Sequence, residues 1–362
     1  MLVNEIYKRI DFSRFLLYLY CMTTKQKVFK ILTENKSSYI SGEKLAAECG
    51  VSRAAIWKAV KALREDGFVI EGTQNGGYSL LDDSQGEIFS LEMLKVMLAQ
   101  AYPEYADCHI ECFGTLDSTN TYAKKLLLEP GKNFHHTIIT AETQTAGRGR
   151  IGRNFESPAG TGVYISLIVT PQGGITQPAL ITAWTAVAVC RAIKKLYGVE
   201  TYIKWINDIY VKNNGVLKKC TGILTEGITN FETSQIESAV IGIGVNISPS
   251  EQIKKSAAGT IAGYLTEAVE PGKTLPSRCR FIAEIAGQVF KIFDEPAAKV
   301  IAEYKKMMFL IGKTITVHPL IGDNKTAYTA TAINVDKNAG LVVRLSDGSK
   351  RTLNSGEVTL HS

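Results

Sequence analysis

The stretch ISGEKLAAECGVSRAAIWKAVKALREDGF, residues 40–68, constrains the fold most. Ser41 can cap a short helix over Gly42–Glu48, Gly50 supplies a tight turn, and Ser52 caps a second helix that Gly67 ends. In that second helix Ile56, Val60 and Leu63 form one apolar stripe. Two helices joined by a short glycine turn read as a helix-turn-helix. The preceding KQKVFKILTEN, residues 25–35, has Val28, Ile31 and Leu32 at helical spacing. The following FVIEGTQNGGYSLL reads as two strands around Asn75-Gly76-Gly77, a hairpin signal. The unit is a winged helix-turn-helix over residues 22–82. The exposed face of its second helix carries Ser52, Arg53, Trp57, Lys58 and Lys61, and Asn75 stands at the wing tip. Residues 1–81 hold 12 Lys and Arg against 8 Asp and Glu. A basic helix face alone fits packing on a partner protein equally well. Capped helix, turn, helix and glycine-tipped wing in succession favour DNA, with early helix residues at base edges and lysines at phosphates.

The chain has 362 residues, 45% of them apolar, enough for two or three domains with real cores. A formal charge of +6 is compatible with an anionic partner without proving one. Seven cysteines without CxxC pairs support neither a disulfide framework nor a zinc site, and a cytoplasmic, reducing setting is expected. The apolar run Arg14–Met22 is too short to span a bilayer, so no membrane association is expected. Asp11 and the absence of a small-residue cleavage site also speak against a signal peptide. Residues 1–21 read as an upstream extension, with Met22 as the start.

The polar DDSQGEI, Asp82–Ile88, marks a linker, placed over 83–89. From 90 to 309 strands and helices alternate. HTIITAET, GVYISLIVT, TYIKWINDIYV and AVIGIGVNIS read as strands; LITAWTAVAVCRAIKKLYG and SRCRFIAEIAGQVFKIF read as helices, the first ending at Gly198. This is an α/β domain. Residues 310–362 turn to short strands with turns at Gly322-Asp323-Asn324, Lys337-Asn338 and Asp347-Gly348, a small barrel-like β domain.

GRGRIGR, Gly147–Arg153, packs three arginines and three glycines into seven residues. The glycines allow close backbone approach and the guanidiniums supply forked donors, so the loop can wrap a compact anion. An exposed loop on nucleic acid is an equal reading of this stretch alone. DSTN, Asp117–Asn120, opens a helix and clusters hydroxyls and amides at its N-terminus. KWIND, Lys204–Asp208, puts a cation, an amide and a carboxylate at a strand end. KKCTGIL, Lys218–Leu224, puts two lysines just before an apolar strand. GIGVN, Gly242–Asn246, is not a dinucleotide fingerprint, since no third glycine and helix follow. Cationic loop, further lysines and an Asn/Asp pair suit joining a carboxylate to a nucleotide phosphate.

In this order the motifs SRAAI, DSTN, QTAGRGRIGR, KWIND, KKCTGIL and GIGVN resemble those of bacterial bifunctional biotin–[acetyl-CoA-carboxylase] ligase/biotin operon repressors, over residues 25–362. The resemblance implies an α+β multidomain chain. Its parts would be a winged helix-turn-helix, a central α/β ligase domain with a mixed sheet, and a small C-terminal SH3-like β-barrel. It implies that biotin attacks ATP to give biotinoyl-5′-AMP, and that one lysine of a biotin carboxyl carrier protein takes the biotinoyl group. By the same resemblance Lys219, Arg150 and Arg148 are catalytic. Ser118, Thr119, Asn120, Gln144, Arg148, Gly149, Arg150, Lys219, Gly222 and Gly242 bind biotin. Lys204, Asn207, Asp208, Asn246 and Arg153 face ATP and Mg²⁺, with Asp208 as metal ligand. The adenylate would order the basic loop, build a homodimer and seat two winged helices on operator DNA.

Three positions depart from the family pattern. Ile151 stands where another arginine is common, Ile206 replaces a proline, and Phe155 replaces a tryptophan while keeping an aromatic cover. Rival readings are a lipoate or octanoyl ligase, a biotin sensor without catalysis, and a ligase whose winged helix binds no operator.

Overall fold

The computed structural model describes residues 22–35, 38–65, 68–73, 76–81, 89–170, 178–229, 236–256, 259, 261–319 and 326–360. The expected extension 1–21, the linker at Asp82–Ile88, Asn75 and the turn at Gly322–Asn324 lie outside the described residues. The chain divides into two compact units, one holding the residues up to Cys108 with 277–284, the other 109–276 with 285–362.

In the first unit α1 (Thr24–Glu34), α2 (Gly42–Cys49) and α3 (Arg53–Glu65) precede a hairpin of β1 (Ile70–Thr73) and β2 (Gly77–Leu80). A capping box at Thr23 and Gln26 starts α1, and the Ser41 hydroxyl accepts from Lys44 N to start α2. Gly50 ends α2 at φ 68°, a left-handed conformation that glycine adopts at no steric cost. Ser52 Oγ then accepts from Ala55 N at the head of α3. Val28, Phe29, Leu32, Leu45, Ile56, Val60 and Leu63 form the core, joined by Val96 and Ala99 of α4 (Leu91–Ala101). The expected stripe Ile56–Val60–Leu63 is thus buried, leaving the opposite face of α3 exposed.

The second unit holds a seven-stranded sheet and a five-stranded one. The seven strands are β3 (Ile110–Leu116), β4 (Thr137–Gln144), β5 (Gly162–Val169), β6 (Thr201–Lys204), β7 (Asp208–Asn213), β8 (Val216–Thr229) and β9 (Ile236–Asn246). Their order is β3-β4-β5-β9-β8-β7-β6; β3 and β4 are parallel and the other pairs antiparallel, so the sheet is mixed. Every residue of β5 is buried, as its unbroken apolar run requires. Two helices cover opposite faces. Neighbouring residues of β8 show it: Thr225 Oγ1 accepts from Thr182 of α6 (Pro178–Tyr197), while Glu226 accepts from Asn120 and Lys124 of α5 (Thr119–Leu126). The remaining helices are α7 (Glu251–Lys255), α8 (Arg278–Ile292) and α9 (Ala297–Met307).

Two strand expectations need correction. TYIKWINDIYV is not one strand but the hairpin β6–β7, with Ile203 opposite Ile209 and Lys204 opposite Asp208. No glycine or proline signals the turn; burial of Trp205 and Ile206 makes it. The Trp205 indole donates to Ala339 O at 2.9 Å, and Tyr304 Oη donates to Ile206 O at 3.1 Å. The Trp205–Ile206 peptide is cis. Lys218 and Lys219 do not precede a strand; they lie inside β8.

At the C-terminus β10 (Thr314–His318), β11 (Tyr328–Val335), β12 (Leu341–Arg344), β13 (Lys350–Leu353) and β14 (Glu357–Leu360) pair antiparallel in the order β13-β12-β11-β10-β14. Among the described residues β13 and β14 do not pair with each other, so the element is a five-stranded antiparallel sheet. No described helix is long and apolar enough to cross a membrane.

Leu63 is fully buried in the first unit's core. Leu63→Ala is expected to destabilise that unit by about 2–5 kcal/mol, the usual cost of a buried leucine. Urea unfolding followed by Trp57 fluorescence measures it, and a loss well under 1 kcal/mol would place Leu63 outside the core.

Candidate functional site

A pocket of about 580 Å³ opens over β5, β9 and β8 on the face that α5 covers elsewhere. The sheet makes the room by leaving out side chains. Gly242 lies between Ser166 and Leu224, and Gly244 between Tyr164 and Gly222. A Cβ at Gly242 would stand 2.3 Å from Asn120 Oδ1, and one at Gly244 would stand 2.4 Å from Phe155 Cε1. A side chain at either position would therefore force Asn120 or Phe155 to move. Gly242 and Gly244 share a face because they are two apart in a strand.

The DSTN turn closes one end. Ser118, Thr119 and Asn120 are 2–3% exposed. Ser118 caps α5, and Asp117 Oδ1 accepts from Ser118 N at 2.6 Å. Gln144 Oε1 accepts from Thr119 N and Oγ1 at 2.9 and 3.1 Å, and Gln144 Nε2 donates to Ser157 Oγ at 2.9 Å. The Ser166 hydroxyl is within reach of both Thr119 Oγ1, at 2.7 Å, and Asn120 Oδ1, at 2.5 Å. Asn120 Nδ2 in turn donates to Glu226 Oε2 at 2.9 Å.

The basic loop folds over the other side. Gly149 N donates to Arg153 O at 2.7 Å and Phe155 N to Gly147 O at 2.9 Å. Ile151, at the exposed tip, is left-handed at φ 56°, a conformation that β-branched residues resist. Each arginine has a different anchor. Arg148 Nη1 reaches Glu226 Oε1 at 3.1 Å. Arg150 Nη1 donates to Asn207 Oδ1 at 2.9 Å and Nη2 to Gly356 O at 3.3 Å. Arg153 Nη2 meets Glu357 Oε2 at 2.6 Å. Phe155 packs on the glycine floor, 3.3 Å from where a Gly222 Cβ would be.

Lys219 reaches Asp208 Oδ1 at 2.7 Å, as an ion pair without an aligned hydrogen bond. It does so because of a register shift: Ile209 pairs with Thr221 but Tyr210 with Lys219, leaving Cys220 as the extra residue. Residues three apart in a regular strand face opposite ways, and this bulge brings Lys219 round to the face of Gly222. Its ammonium lies 3.5 Å from the position of a Gly222 Cβ. Asn207 Nδ2 donates to Ile223 O at 3.0 Å, which fixes the amide that holds Arg150.

Titration behaviour follows from these contacts. Burial lowers the Lys204 pKa, helped by Lys219 and Arg153 and opposed by Asp208 and Glu357. Burial works to raise that of Glu226, but hydrogen bonds from Lys124 and Asn120 and the charges of Lys124 and Arg148 outweigh it, and the net shift is downward.

Of the residues singled out in the sequence, Ser118, Thr119, Asn120, Gln144, Arg148, Gly149, Arg150, Arg153, Asn207, Asp208, Lys219, Gly222, Gly242 and Asn246 line this one pocket. Lys204 does not; it stands across the hairpin from Asp208. Sequence reasoning misses Gly244, although the alternation in GIGVN carries the signal. It also misses Ser166, Glu226 and Glu357, which no local pattern marks. In the first unit Ser52, just before α3, and Arg53, Trp57, Lys58 and Lys61 on it are all exposed, with Lys61 Nζ 5.7 Å from the Trp57 ring centroid.

A family model described as the biotin/lipoate A/B protein ligase family matches residues 113–246, and an HTH domain model matches residues 24–79. The bifunctional ligase/repressor BirA of Bacillus subtilis (strain 168) is 32% identical over 246 residues, covering 68% of this chain and 72% of that protein. The bifunctional ligase/repressor BirA of Escherichia coli (strain K12) is 27% identical over 343 residues, covering 94% of this chain and 98% of that protein. The structure of the biotin protein ligase from Aquifex aeolicus in complex with biotin and ATP aligns with a TM-score of 0.53 and 22% identity. It covers 70% of this chain and 98% of that one, and speaks for the fold alone. By its matched domains and its relatives, the chain belongs to the family of bifunctional ligase/repressor BirA proteins.

Proposed function

We propose that this protein activates biotin with ATP to biotinoyl-5′-AMP and passes the biotinoyl group to one lysine of a biotin carboxyl carrier protein. We also propose that it represses transcription through its winged helix-turn-helix, with the adenylate as corepressor. One observation carries the reading: five separate stretches converge on one glycine-floored pocket that holds Arg148, Arg150, Arg153 and Lys219.

The two ends of the pocket suit the two ends of the substrate. Biotin's ureido ring is neutral and needs both donors and acceptors, which Ser118, Thr119, Asn120 and Gln144 supply. The carboxylate and the ATP phosphates are anions, and the cations allow them to approach. In the first step a carboxylate oxygen attacks the α-phosphorus and pyrophosphate leaves. Lys219 stabilises the negative charge gathering on the carboxyl and phosphoryl oxygens, with Arg148 and Arg150 beside it. In the second step the carrier's ε-amine attacks the acyl carbon, AMP leaves, and the amine proton is lost to form the amide. The basic loop with Phe155 shields the mixed anhydride from water. Asn207, Asp208, Asn246 and Arg153 form the nucleotide side of the pocket, and Lys204, outside it, would act on the nucleotide only from across the hairpin, opposite Asp208.

That side suits Mg²⁺. Asn246 Oδ1 is buried and accepts no hydrogen bond, and Asp208 Oδ1 has the Lys219 ammonium at 2.7 Å, so a metal ion on Asp208 would share that carboxylate with Lys219. No cluster of three or more metal-binding side chains exists among the described residues. One or two protein oxygens beside substrate phosphates are the usual Mg²⁺ arrangement, and the ion would neutralise phosphate charge there.

For repression, Ser52, Arg53, Trp57, Lys58 and Lys61 would face operator DNA, with Asn75 on the wing. An ordered loop would complete a homodimer surface in the cytoplasm, with the exposed Ile151 in place of a charge. The C-terminal sheet, read as SH3-like, supplies Gly356 O and Glu357 to the loop arginines.

Incubation with biotin, Mg-ATP and labelled pyrophosphate should move label into ATP only when biotin is present. Exchange with lipoate instead would assign the site to the sister ligases, and exchange with neither would make the protein a sensor. Arg150→Gly should release adenylate about tenfold faster or more, since it removes charged hydrogen bonds worth about 1.5–3 kcal/mol; unchanged release would deny the loop a role as lid. Lys58→Glu should weaken operator binding and lower its salt slope by about 1 while leaving pyrophosphate exchange intact. Loss of exchange in that variant would refute the separation of the two activities.

A further inference from the structure

Glu226 belongs to none of the motifs, yet it joins two of them. It lies on β8 two residues beyond Leu224, on the glycine face. Its Oε1 takes Lys124 Nζ at 2.8 Å and Arg148 Nη1 at 3.1 Å, and its Oε2 takes Asn120 Nδ2 at 2.9 Å. Asn120 is the wall of the pocket against Gly242. Arg148 is the first arginine of the basic loop.

We propose that Glu226 is a positioning residue that ties the buried polar wall of the pocket to the basic loop, so that the Asn120 amide and Arg148 are set together. The proposal rests on the reading of this pocket as the biotin and adenylate site. The physical reason lies in the two ends of an amide, which are alike in shape and opposite in hydrogen-bonding sense. A carboxylate can only accept. It therefore draws Nδ2 toward itself and leaves Oδ1 facing Ser166 and the floor at Gly242, where a ligand N–H would find an acceptor. A neutral amide in place of Glu226 would offer both a donor and an acceptor, leaving only the longer 3.4 Å bond from Asn120 Nδ2 to Leu224 O to favour one orientation.

The same carboxylate carries the charge that seats Arg148, two residues from Arg150. A ligand bound against Asn120 favours the set amide and so the Glu226 position that receives Arg148. By linkage, an ordered loop favours the ligand to the same degree. Lys124 provides a second cation on the carboxylate, so removing Arg148 alone leaves Glu226 paired while the loop is freed.

The test is hydrogen exchange of segment 145–157 in the full chain, with and without biotin, beside calorimetric biotin binding. Wild type, Glu226→Gln and Arg148→Met are compared. In wild type, biotin should slow exchange of the Gly149 and Phe155 amides. In Glu226→Gln, biotin should bind about tenfold more weakly, and loop protection at saturating biotin should fall about fivefold. Adding Arg148→Met to Glu226→Gln should change the loop little further, since the tie is already cut. Full loop protection at saturating biotin in Glu226→Gln, or additive effects in the double variant, would overturn the proposal. If wild type binds no biotin, the ligand assignment fails, and the tie is then judged without ligand: faster loop exchange in Glu226→Gln supports it and unchanged exchange overturns it. Should Glu226→Gln not fold, Arg148→Met decides through loop exchange in ligand-free protein. Faster exchange of the Gly149 and Phe155 amides than in wild type supports the tie, and unchanged exchange sinks it.

Discussion

The site depends on a place where the sheet has no side chains. Over most of its α5-facing surface the central sheet carries residues such as Ile139, Ile168 and Val240, packed under Ala123 and Leu126. Further along β9, Gly242 and Gly244 interrupt that layer, and so does Gly222 on the adjoining β8. A core layer that stops abruptly beside a capped helix end leaves a concave space walled by backbone and small hydroxyls. Asn120 and Phe155 take up part of it, so closely that a methyl group on either glycine facing them would displace them. The pocket is therefore a property of strand register, since the three glycines matter only when they are aligned across β8 and β9.

Charge is then distributed around that floor with each cation held by a different element. Arg148 is held from the floor by Glu226, Arg150 by the β6–β7 turn and the C-terminal sheet, and Arg153 by the C-terminal sheet again. Lys219 is held by Asp208. Four cations gathered near one another repel, and each anchor offsets part of that repulsion with a local acceptor. The C-terminal sheet is thus part of the site's second wall, and Trp205 Nε1 bonded to Ala339 O ties it to the turn that carries Asn207 and Asp208.

Much of the fold is legible in the sequence because it is written in local patterns. Ser41, Gly50 and Ser52 punctuate the helix-turn-helix, and the stripe Ile56, Val60, Leu63 gives its inward face. Ser118 at the head of α5 and the unbroken apolar run of β5 are equally direct. The hairpin at Trp205–Asn207 was not legible, because long-range hydrogen bonds to Trp205 and Ile206 make it and no turn residue announces it. Closure of the C-terminal strands into a barrel was likewise an expectation beyond what the pairing pattern contains.

By itself the sequence determined which chemical groups the protein has: a cationic glycine loop, a capped helix start, a paired amide and carboxylate, and a helix with a basic exposed face. These are local facts, set by residue type and spacing. Tertiary structure decided which groups meet. The extra residue at Cys220 turns Lys219 onto the face of Gly222, which a regular strand would forbid. Cross-strand register aligns Gly222 with Gly244 and Gly242 with Ser166, and it puts Glu226 within reach of both Asn120 and Arg148. Such contacts join residues far apart in the chain. Their geometry follows from how strands pair and bulge, and no short stretch of sequence contains it.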